Sequence, residues 1–371
     1  MRTGARRERG LSLVEMMVGM AVGLIGITII THLYITNEKY KRSTTGSGEA
    51  QVNGAIALYS LERDIRMAGY GLNHAAALGC TCDTVLNPGC SPVQYYRGGA
   101  YSSPPGGGGG LPPLTFAPVV ITETANQADT VTLLFGNTSE RMLPGTLSET
   151  MPSPSAEFKV DGTAGFAIND MVLVTSGTTC MLTQITQVQA AASHLQHNPG
   201  TSIWNPAGGG LLPAFSAGSS LFNLGNPVWR IYSVGSDKLQ FSEVLSTFVT
   251  GGAATPIVDD IVDMQAQYGK DTDDNGVVET WNTVQPTSGA QWQQVLAVRV
   301  AVLARSKNYE RPQNPGDPCE ATTMAGRPRW GDAAALQDFP TLLVAGVLPS
   351  CYKYRVFETI IPLRNMIWRP A

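Results

Sequence analysis

Charged residues and histidines are scarce in this 371-residue chain, and this scarcity limits the functions it can have. Lysine, arginine, aspartate and glutamate together make up 15% of the sequence, and there are 4 histidines. The formal net charge at pH 7 is −4. A protein that binds nucleic acid through the phosphate backbone needs a basic surface. No nucleic acid partner is therefore expected.

The sequence patterns of common catalytic and nucleotide-binding sites are also missing. There is no Gly-x-Ser-x-Gly elbow. The glycine run at 106–110 leads into Leu-Pro-Pro, whereas a phosphate loop needs Lys and Ser or Thr at the start of a helix. His194 and His197 are close in sequence, but two imidazoles without a third ligand bind metal weakly. The sequence thus predicts a protein that is not an enzyme and requires no cofactor.

One long apolar run lies near the amino terminus. Residues 11–35, LSLVEMMVGMAVGLIGITIITHLYI, contain a single carboxylate, and four of the five charged residues before them are arginines. A bilayer span needs about 20 apolar residues, and arginines keep their end in the cytoplasm. No A-x-A cleavage pattern follows between Ile35 and Glu49, so an ordinary secretory signal is not expected. The run predicts a single-pass helix with residues 1–10 cytoplasmic.

Glu15 is the unusual residue of this run. A carboxylate in hydrocarbon costs at least about 2.5 kcal/mol, so a retained acid needs a partner. If the chain is cut between Gly10 and Leu11, the new amine of Leu11 lies one helical turn from Glu15. This amine, in the same chain or a neighbour, would pair with Glu15 and set the register between packed helices. The alternative is a plain anchor whose Glu15 reaches the headgroups.

Six cysteines follow the apolar run, on the side of the membrane predicted to be oxidising, where disulfides are the default. They are Cys80, Cys82, Cys90, Cys180, Cys319 and Cys351. Many pairings are possible. The clustering favours a small loop within 80–90 and a link between Cys319 and Cys351. A zinc site at CTCDTVLNPGC is the alternative, but its three cysteines lack the usual ligand spacing.

Helical periodicity resumes at residues 36–70, beyond the predicted span. One apolar stripe consists of Val52, Ile56 and Tyr59, and an adjacent stripe consists of Leu58, Leu61 and Ile65. The helix is expected to end near Ala68, because glycines follow at 69 and 71. The glycines at 46, 48 and 54 are expected to produce a bend or local melting.

The remainder of the chain divides into an irregular part and a β-rich part. Residues 71–128 are rich in Cys, Gly and Pro and predict an irregular excursion. Residues 129–371 contain short β-type runs at 130–135, 171–176, 180–188, 228–234 and 295–306 and near the carboxyl terminus. Residues 189–220 predict a surface loop insertion. The predicted fold is α+β, with a long amino-terminal helix packed on a mostly antiparallel sheet.

One further segment has the spacing of a calcium loop. In DTDDNGVVETW, oxygen donors stand at Asp271, Asp273 and Asn275, and the Val277 carbonyl and Glu279 follow a glycine turn. Residue 282, however, is Asn, where such loops carry a bidentate Glu. The segment has two possible interpretations, a loop that binds a calcium ion and an acidic, solvated hairpin turn.

Two sets of residues resemble a known family. The basic leader ending at Gly10, followed by LSLVE, is similar to the class III signal of type IV prepilins and type II secretion pseudopilins. The segments LERDIRMAGYG, PIVDDIVDMQAQYGKDTDDNG, VLAVRVAVLARS and YRVFETIIPLRNMIW resemble, in order, those of the PilW family of minor pilins. Removing residues 1–10, which carry a net +3, would take the net charge from −4 to −7.

The resemblance implies a function and a set of partners. A prepilin peptidase would cut after Gly10 and methylate Leu11, where most relatives have phenylalanine. The protein would sit in the bacterial inner membrane, then join other minor pilins and the major pilin to prime pilus assembly, and remain near the tip. A tip adhesin is a further candidate partner. There are two alternatives: a minor pseudopilin of a type II secretion system, and a calcium-dependent adhesin module anchored in the membrane.

Overall fold

The computed structural model describes residues 12–72, 74–78, 80, 96–97, 100–101, 115–138, 143–177, 179–205, 207, 213–243, 254–310, 312, 316–319, 321–343 and 350–367. The predicted cleavage residues Gly10 and Leu11 lie outside these ranges, as do Cys82 and Cys90.

The first element, helix α1 (Leu13–Met67), has 55 residues and is therefore about 80 Å long at 1.5 Å per residue. It continues without interruption through the three glycines at 46, 48 and 54, so the expected local melting there is wrong. Three short helices follow within the described ranges: α2 (Ala75–Leu78), α3 (Gly289–Gln293) and α4 (Arg364–Ile367).

Helix α1 ends where the sequence predicts. Ala68 is its C-cap, and its N–H donates to Ile65 O over 3.1 Å. Gly69 then takes φ +79°, in the left-handed region that favours glycine. Its N–H donates to Leu134 O over 2.9 Å, so the turn also fixes the end of the helix against the sheet.

The β-strands are short apart from a few long ones in the carboxyl-terminal half. They are β1 (Tyr96–Arg97), β2 (Ala100–Tyr101), β3 (Val119–Thr122), β4 (Thr130–Phe135), β5 (Gly145–Thr146), β6 (Phe158–Lys159), β7 (Met171–Ser176), β8 (Thr179–Gln184), β9 (Gln187–Gln189), β10 (His194–Gln196), β11 (Ser220–Gly225), β12 (Val228–Gly235), β13 (Lys238–Glu243), β14 (Thr255–Asp259), β15 (Ile261–Lys270), β16 (Thr280–Asn282), β17 (Val295–Arg305), β18 (Arg329–Trp330), β19 (Gln337–Asp338) and β20 (Tyr354–Pro362). Short 3-10 helices occupy Ala190–Ala192 and Pro340–Leu343.

These strands form antiparallel sheets. The sheet under α1 has the order β16-β15-β17-β20, and a five-stranded sheet beside it has the order β14-β13-β12-β4-β3. A further sheet, β5-β11-β7-β8, is accompanied by the three-stranded β6-β10-β9. The predicted α+β fold, a long helix on mostly antiparallel sheet, is confirmed.

Most of the predicted strands are found, but two expectations about irregular segments are wrong. The run predicted at 180–188 forms two strands, β8 and β9. The predicted loop at 189–220 contains β10, and Phe215 within it is buried. The predicted irregular excursion 71–128 contains β3, which pairs with β4. In each case a short segment gains its order by pairing with the adjacent strand along the chain: β3 with β4, and β9 with β10.

Strand β17 lies at the centre of the molecule and is buried along nearly its whole length. Alternate side chains point to opposite faces of a strand. Val298, Val300 and Val302 belong to the core shared with Leu61 and Ile65 of α1. On the other face, Ala301 and Leu303 pack with the aromatic residues Trp330 and Phe339. Because both faces are covered, β17 is apolar along most of its length, with Arg299 the one charged residue before Arg305 at its end.

Small residues line the surface of α1 that contacts this sheet. The buried positions in its second half are Gly46, Ala50, Gly54, Ala57, Leu61, Asp64 and Ile65. Their spacing of three and four residues defines one helical face. Of the two apolar stripes, the one that contains Leu61 and Ile65 faces the sheet and is buried. The adjacent stripe of Val52, Ile56 and Tyr59 is exposed.

Candidate assembly and membrane-anchoring surface

The helix begins at a capping box built from the residues just after the predicted cleavage site. Ser12 is the N-cap, and its Oγ accepts a hydrogen bond from Val14 N over 3.2 Å. Glu15, at the third helical position, accepts one from Ser12 N over 3.1 Å. The sequence signal for this arrangement, Ser-x-x-Glu before an apolar run, is visible in SLVE but was overlooked in the sequence reasoning.

The capping box gives Glu15 a second role besides the predicted pairing with an amine. Its carboxylate lies beside the unpaired N–H groups at the start of α1, where negative charge is favourable. The pairing with the Leu11 amine stays a prediction, because Leu11 lies outside the described residues. Removing Glu15 would therefore alter the helix start as well as any contact with a neighbouring chain.

The first half of α1 contacts no other described part of the chain. Every described residue of 12–35 except Gly26 is exposed, and Gly26 is only partly covered. The helix contains an 18-residue window of mean hydropathy 2.2, and none of that window is buried. By length and composition it is able to cross a bilayer. An apolar surface this large needs lipid or another protein to cover it.

A charged cluster ties the second half of α1 to the neighbouring five-stranded sheet. Asp64 is buried, and its Oδ2 accepts hydrogen bonds from the Tyr232 hydroxyl over 2.6 Å and from Arg230. Its Oδ1 accepts from Arg63 Nε over 2.9 Å. Arg230 also pairs with Glu243. Burial, and then the nearby Asp64, raise the pKa of Tyr232 above its usual range.

This cluster was not predicted from the sequence. Asp64 stands in LERDIR, where the usual interpretation is a solvated helical ion pair. Its partners on β12 come more than 160 residues later in the chain. The cluster fixes the axial position of α1 on the sheet, because a buried carboxylate with three donors tolerates little displacement.

The predicted calcium residues come together at one end of β15. Oxygens of Asp271, Asp273 and Glu279 all lie within 4.8 Å of one another. Asp271 is fully buried and accepts hydrogen bonds from Asn275 N (3.0 Å) and Gly276 N (2.8 Å). Gly276 has φ +87°, so the turn requires glycine there.

Asp271 N donates to Gln294 O over 2.8 Å and so ties the loop to the end of α3, and further bonds join residues of the loop to each other. Asn275 Oδ1 accepts from Val277 N over 2.7 Å, and Glu279 Oε2 accepts from Thr272 N over 2.7 Å. Asn282 Oδ1 accepts from Val284 N over 3.1 Å. The loop thus has a compact oxygen-lined turn in which backbone N–H groups offset part of the negative charge.

The disulfides differ in part from the expected pairing. Cys319 is bonded to Cys351, which is the link that the clustering favours. Cys80 is bonded to Cys180 on β8, so Cys80 does not close the expected small loop within 80–90. This second bridge joins the excursion to the sheet across 100 residues of sequence. A pairing that depends on tertiary contact cannot be read from spacing.

The two neighbouring histidines have separate environments. His194 Nδ1 lies 3.0 Å from Glu157 Oε1. His197 is buried with its ring stacked on Phe158 at 4.2 Å, and burial lowers its pKa. Its Nε2 lies 3.1 Å from Pro154 O. These contacts give both histidines structural partners.

Comparisons with known proteins agree with the sequence resemblance. The prokaryotic N-terminal methylation motif matches residues 5–31, which include the capping box. The family described as Type IV Pilus-assembly protein W matches residues 233–365, which include the sheet under α1. No curated protein matches the chain.

A solved structure, a type IV-like pilin from Thermus thermophilus, aligns over 84% of this chain and 95% of its own length, with 11% sequence identity and a TM-score of 0.30. A similarity of that size carries no argument, so the assignment depends on the two sequence matches. The chain thus carries a prokaryotic N-terminal methylation motif at residues 5–31 and a PilW domain at residues 233–365.

Proposed function

We propose that this protein is a minor pilin that packs with other pilins to prime assembly of a type IV pilus and remains near the tip of the fibre. A prepilin peptidase would cut between Gly10 and Leu11 and methylate Leu11. The role is structural and not catalytic. The proposed location is the bacterial inner membrane before assembly, with the sheets in the periplasm.

One observation carries this proposal: α1 has two halves of opposite character on a single unbroken helix. The first half is apolar and uncovered. The second half is held to β17 and β20 by close packing of small residues, and to β12 of the neighbouring sheet by the buried Asp64. A helix fixed at one end to a folded domain and exposed at the other is suited to pass from lipid into a bundle of similar helices, because both environments cover its apolar surface.

The test is a gene deletion followed by complementation. We expect the deletion to lower the number of surface pili, and the intact gene to restore it. Antibody labelling against the sheet domain should then mark fibre ends. Labelling along the whole fibre would overturn the tip position. Normal piliation together with a defect in protein secretion would instead favour a type II secretion pseudopilin.

We also propose that the loop 271–279 binds a calcium ion. Support comes from the three carboxylates whose oxygens lie within 4.8 Å and from the alternation of donors that calcium loops use. Millimolar calcium should raise the melting temperature of the full-length protein in detergent, because ligand binding to the folded state stabilises it.

A matched pair of variants makes this calcium test specific. Asp273→Asn combined with Glu279→Gln should abolish the calcium-dependent shift. Asp259→Asn, which changes an exposed carboxylate paired with Lys238, should retain it. Absence of any shift in the unmodified protein, or an equal shift in both variants, would contradict a calcium site.

A further inference from the structure

The sheet domain has a loop that reaches down to the level at which α1 leaves the predicted membrane span. Asn308, Tyr309 and Glu310 line one wall of a cleft of ≈ 300 Å³. The opposite wall belongs to α1 and includes Tyr34 and Ile35, the last residues of the apolar run, followed by Glu38, Lys39 and Arg42. The folded domain therefore comes close to the bilayer surface when α1 is inserted.

The length of the apolar run places this cleft in the headgroup layer. The 25 residues from 11 to 35 extend about 37 Å as a helix, compared with about 30 Å of hydrocarbon. The end of the run therefore emerges among the headgroups, which occupy several more ångströms on each side. Asn308, Tyr309 and Glu310 line the cleft together with residues 34–42 of α1, and the loop begins farther along the helix, where Ser306 lies against Gly46.

The loop is held firmly in this position. Ser306 N donates to Lys353 O over 2.7 Å, and Glu310 N donates to Cys351 O over 2.8 Å. Cys351 is bonded to Cys319, and the Lys353 ammonium bonds to Ser43 of α1. Side-chain and main-chain bonds thus connect both ends of the loop to α1 or to the strand beside it.

The chemistry of the exposed side chains around this loop matches a membrane surface. Tyr34, Tyr40 and Tyr309 are exposed by 69%, 71% and 52%, and tyrosine is enriched at membrane interfaces. Lys39, Lys41 and Lys307 are also exposed and have no ion-pair partner within 4.0 Å among the described residues. Arg42 and Lys353, by contrast, pair with Glu38 and Glu310.

The surface is therefore basic in a protein that is acidic as a whole. Residues 34–42 and 306–310 carry four basic and two acidic side chains, which is a net charge of +2, while the chain carries −4. Basic residues beside a membrane span are each attracted to anionic lipid by about 1 kcal/mol. A surface selected only for solubility would have no reason to concentrate lysine and tyrosine at the helix exit.

We propose that residues 34–42 and 306–310 form a headgroup-binding surface that seats the sheet domain on anionic phospholipid of the periplasmic leaflet before assembly. The inference rests on the membrane insertion in the proposed function. The lysines hold phosphate groups, and the tyrosines lie in the interface. This contact with lipid sets the orientation of the sheet domain on the membrane. The contact must break when α1 leaves the membrane.

Photo-crosslinking of the full-length protein tests this surface directly. A photoreactive phenylalanine analogue replaces Tyr309 or, as a control, Tyr59, which is similarly exposed farther along α1. Each protein is reconstituted into phosphatidylcholine vesicles with and without phosphatidylglycerol. We expect a lipid adduct at position 309 that is several-fold stronger with phosphatidylglycerol, and none at position 59.

Charge variants and an insertion control complete the test. Lys39→Gln with Lys307→Gln should lower the adduct at 309 by about threefold or more. Lys159→Gln with Lys238→Gln, lysines on other sheets, should leave it unchanged. If alkaline carbonate removes the protein from the vesicles, the protein is not inserted in the bilayer. That result would contradict both the proposed membrane insertion and this inference. Three results with an inserted chain would overturn the headgroup surface but not the membrane insertion. They are no lipid adduct at position 309, an adduct that does not depend on phosphatidylglycerol, and a crosslink to a second protein instead of lipid.

Discussion

Gly54 of α1 lies directly against the ring of Phe357 on β20. A Cβ atom added to Gly54 would come within 2.0 Å of Phe357 Cε2, a separation that no folded protein accepts without movement. The glycine therefore allows the helix and the strand to approach closely. This contact explains why α1 keeps a glycine in its middle although glycine weakens helices.

Substitution of Gly54 should be costly, and substitution of Gly48 should not. Gly54→Ala forces the helix away from Phe357, and we expect it to lower the free energy of unfolding by about 1–3 kcal/mol. No atom lies within 4 Å of a Cβ at Gly48, so Gly48→Ala should raise it by up to about 1 kcal/mol. Denaturant unfolding of the full chain in detergent measures both. Equal effects would contradict the close packing of helix and sheet.

Asp64→Asn should strongly destabilise the attachment of α1 to the five-stranded sheet. The variant removes one of the two carboxylates that balance Arg230, whose side chain is 16% exposed, while Glu243 remains, and we expect a loss of about 1.5–3 kcal/mol, the scale of a hydrogen bond to a charged group. Glu38→Gln removes an exposed partner of Arg42 and should cost no more than about 0.5 kcal/mol. The same unfolding measurement compares them, and a small loss for Asp64→Asn would show that the cluster adds little.

Asp129 should make the protein less stable as the pH rises. Its side chain is buried, Oδ2 accepts from Ala266 N over 2.9 Å, and Oδ1 has no partner among the described residues. Burial, with Glu123 and Asp263 nearby, raises the pKa of Asp129 to about 7. Because the folded state holds this proton more tightly than the unfolded state, the stabilisation is complete below about pH 4 and is lost as the pH rises through about 7.

The variant Asp129→Asn isolates this effect. Between pH 5 and pH 8 its melting temperature should fall less than that of the unmodified protein. At pH 8 the variant should be the more stable of the two. The expected gain at pH 8 is on the order of a few kcal/mol. Parallel melting curves for the two proteins across this range would exclude a titrating Asp129.

Two substitutions of Glu15 separate its two roles. Glu15→Gln keeps a side chain that is able to accept from Ser12 N, as a capping box allows, but removes the charge. Glu15→Val removes both. If pairing with an amine sets the helix register, both variants should be processed normally and incorporated poorly into fibres. If Glu15→Gln is incorporated normally and Glu15→Val is not, the role of Glu15 is helix capping alone. Immunoblots of sheared fibres measure incorporation.

The sequence predicted best those elements whose pattern does not depend on which other segment they contact. β4 and β7 were predicted with their observed bounds because alternating or continuous apolar residues define a strand wherever its partner lies. The end of α1 was predicted because Gly69 and Gly71 adopt positive φ locally. These signals are contained in a few adjacent residues.

The errors arose where close contact between distant segments decides the structure. The sequence shows two adjacent apolar stripes on α1 and does not tell which one is buried; the sheet approaches the face that carries small residues, and Val52, Ile56 and Tyr59 stay exposed. The bond from Cys80 to Cys180 and the salt bridge from Asp64 to Arg230 likewise join segments far apart in the chain. No local pattern reports such contacts.

The candidate site shows the same division. The apolar run, Glu15 and the calcium-type spacing were readable directly from the sequence, since each is a local pattern. The basic and aromatic surface at the membrane exit was not, because residues 306–310 meet residues 34–42 only after β17 crosses the molecule.

Mass spectrometry of the amino terminus of the protein from native fibres tests the central claim most directly. The account predicts that the mature chain begins at Leu11 with a methylated amine, and that a bulky residue in place of Gly10 leaves the full-length precursor in the membrane. A fibre-associated protein that still begins at Met1, or normal processing of the Gly10 variant, would contradict it.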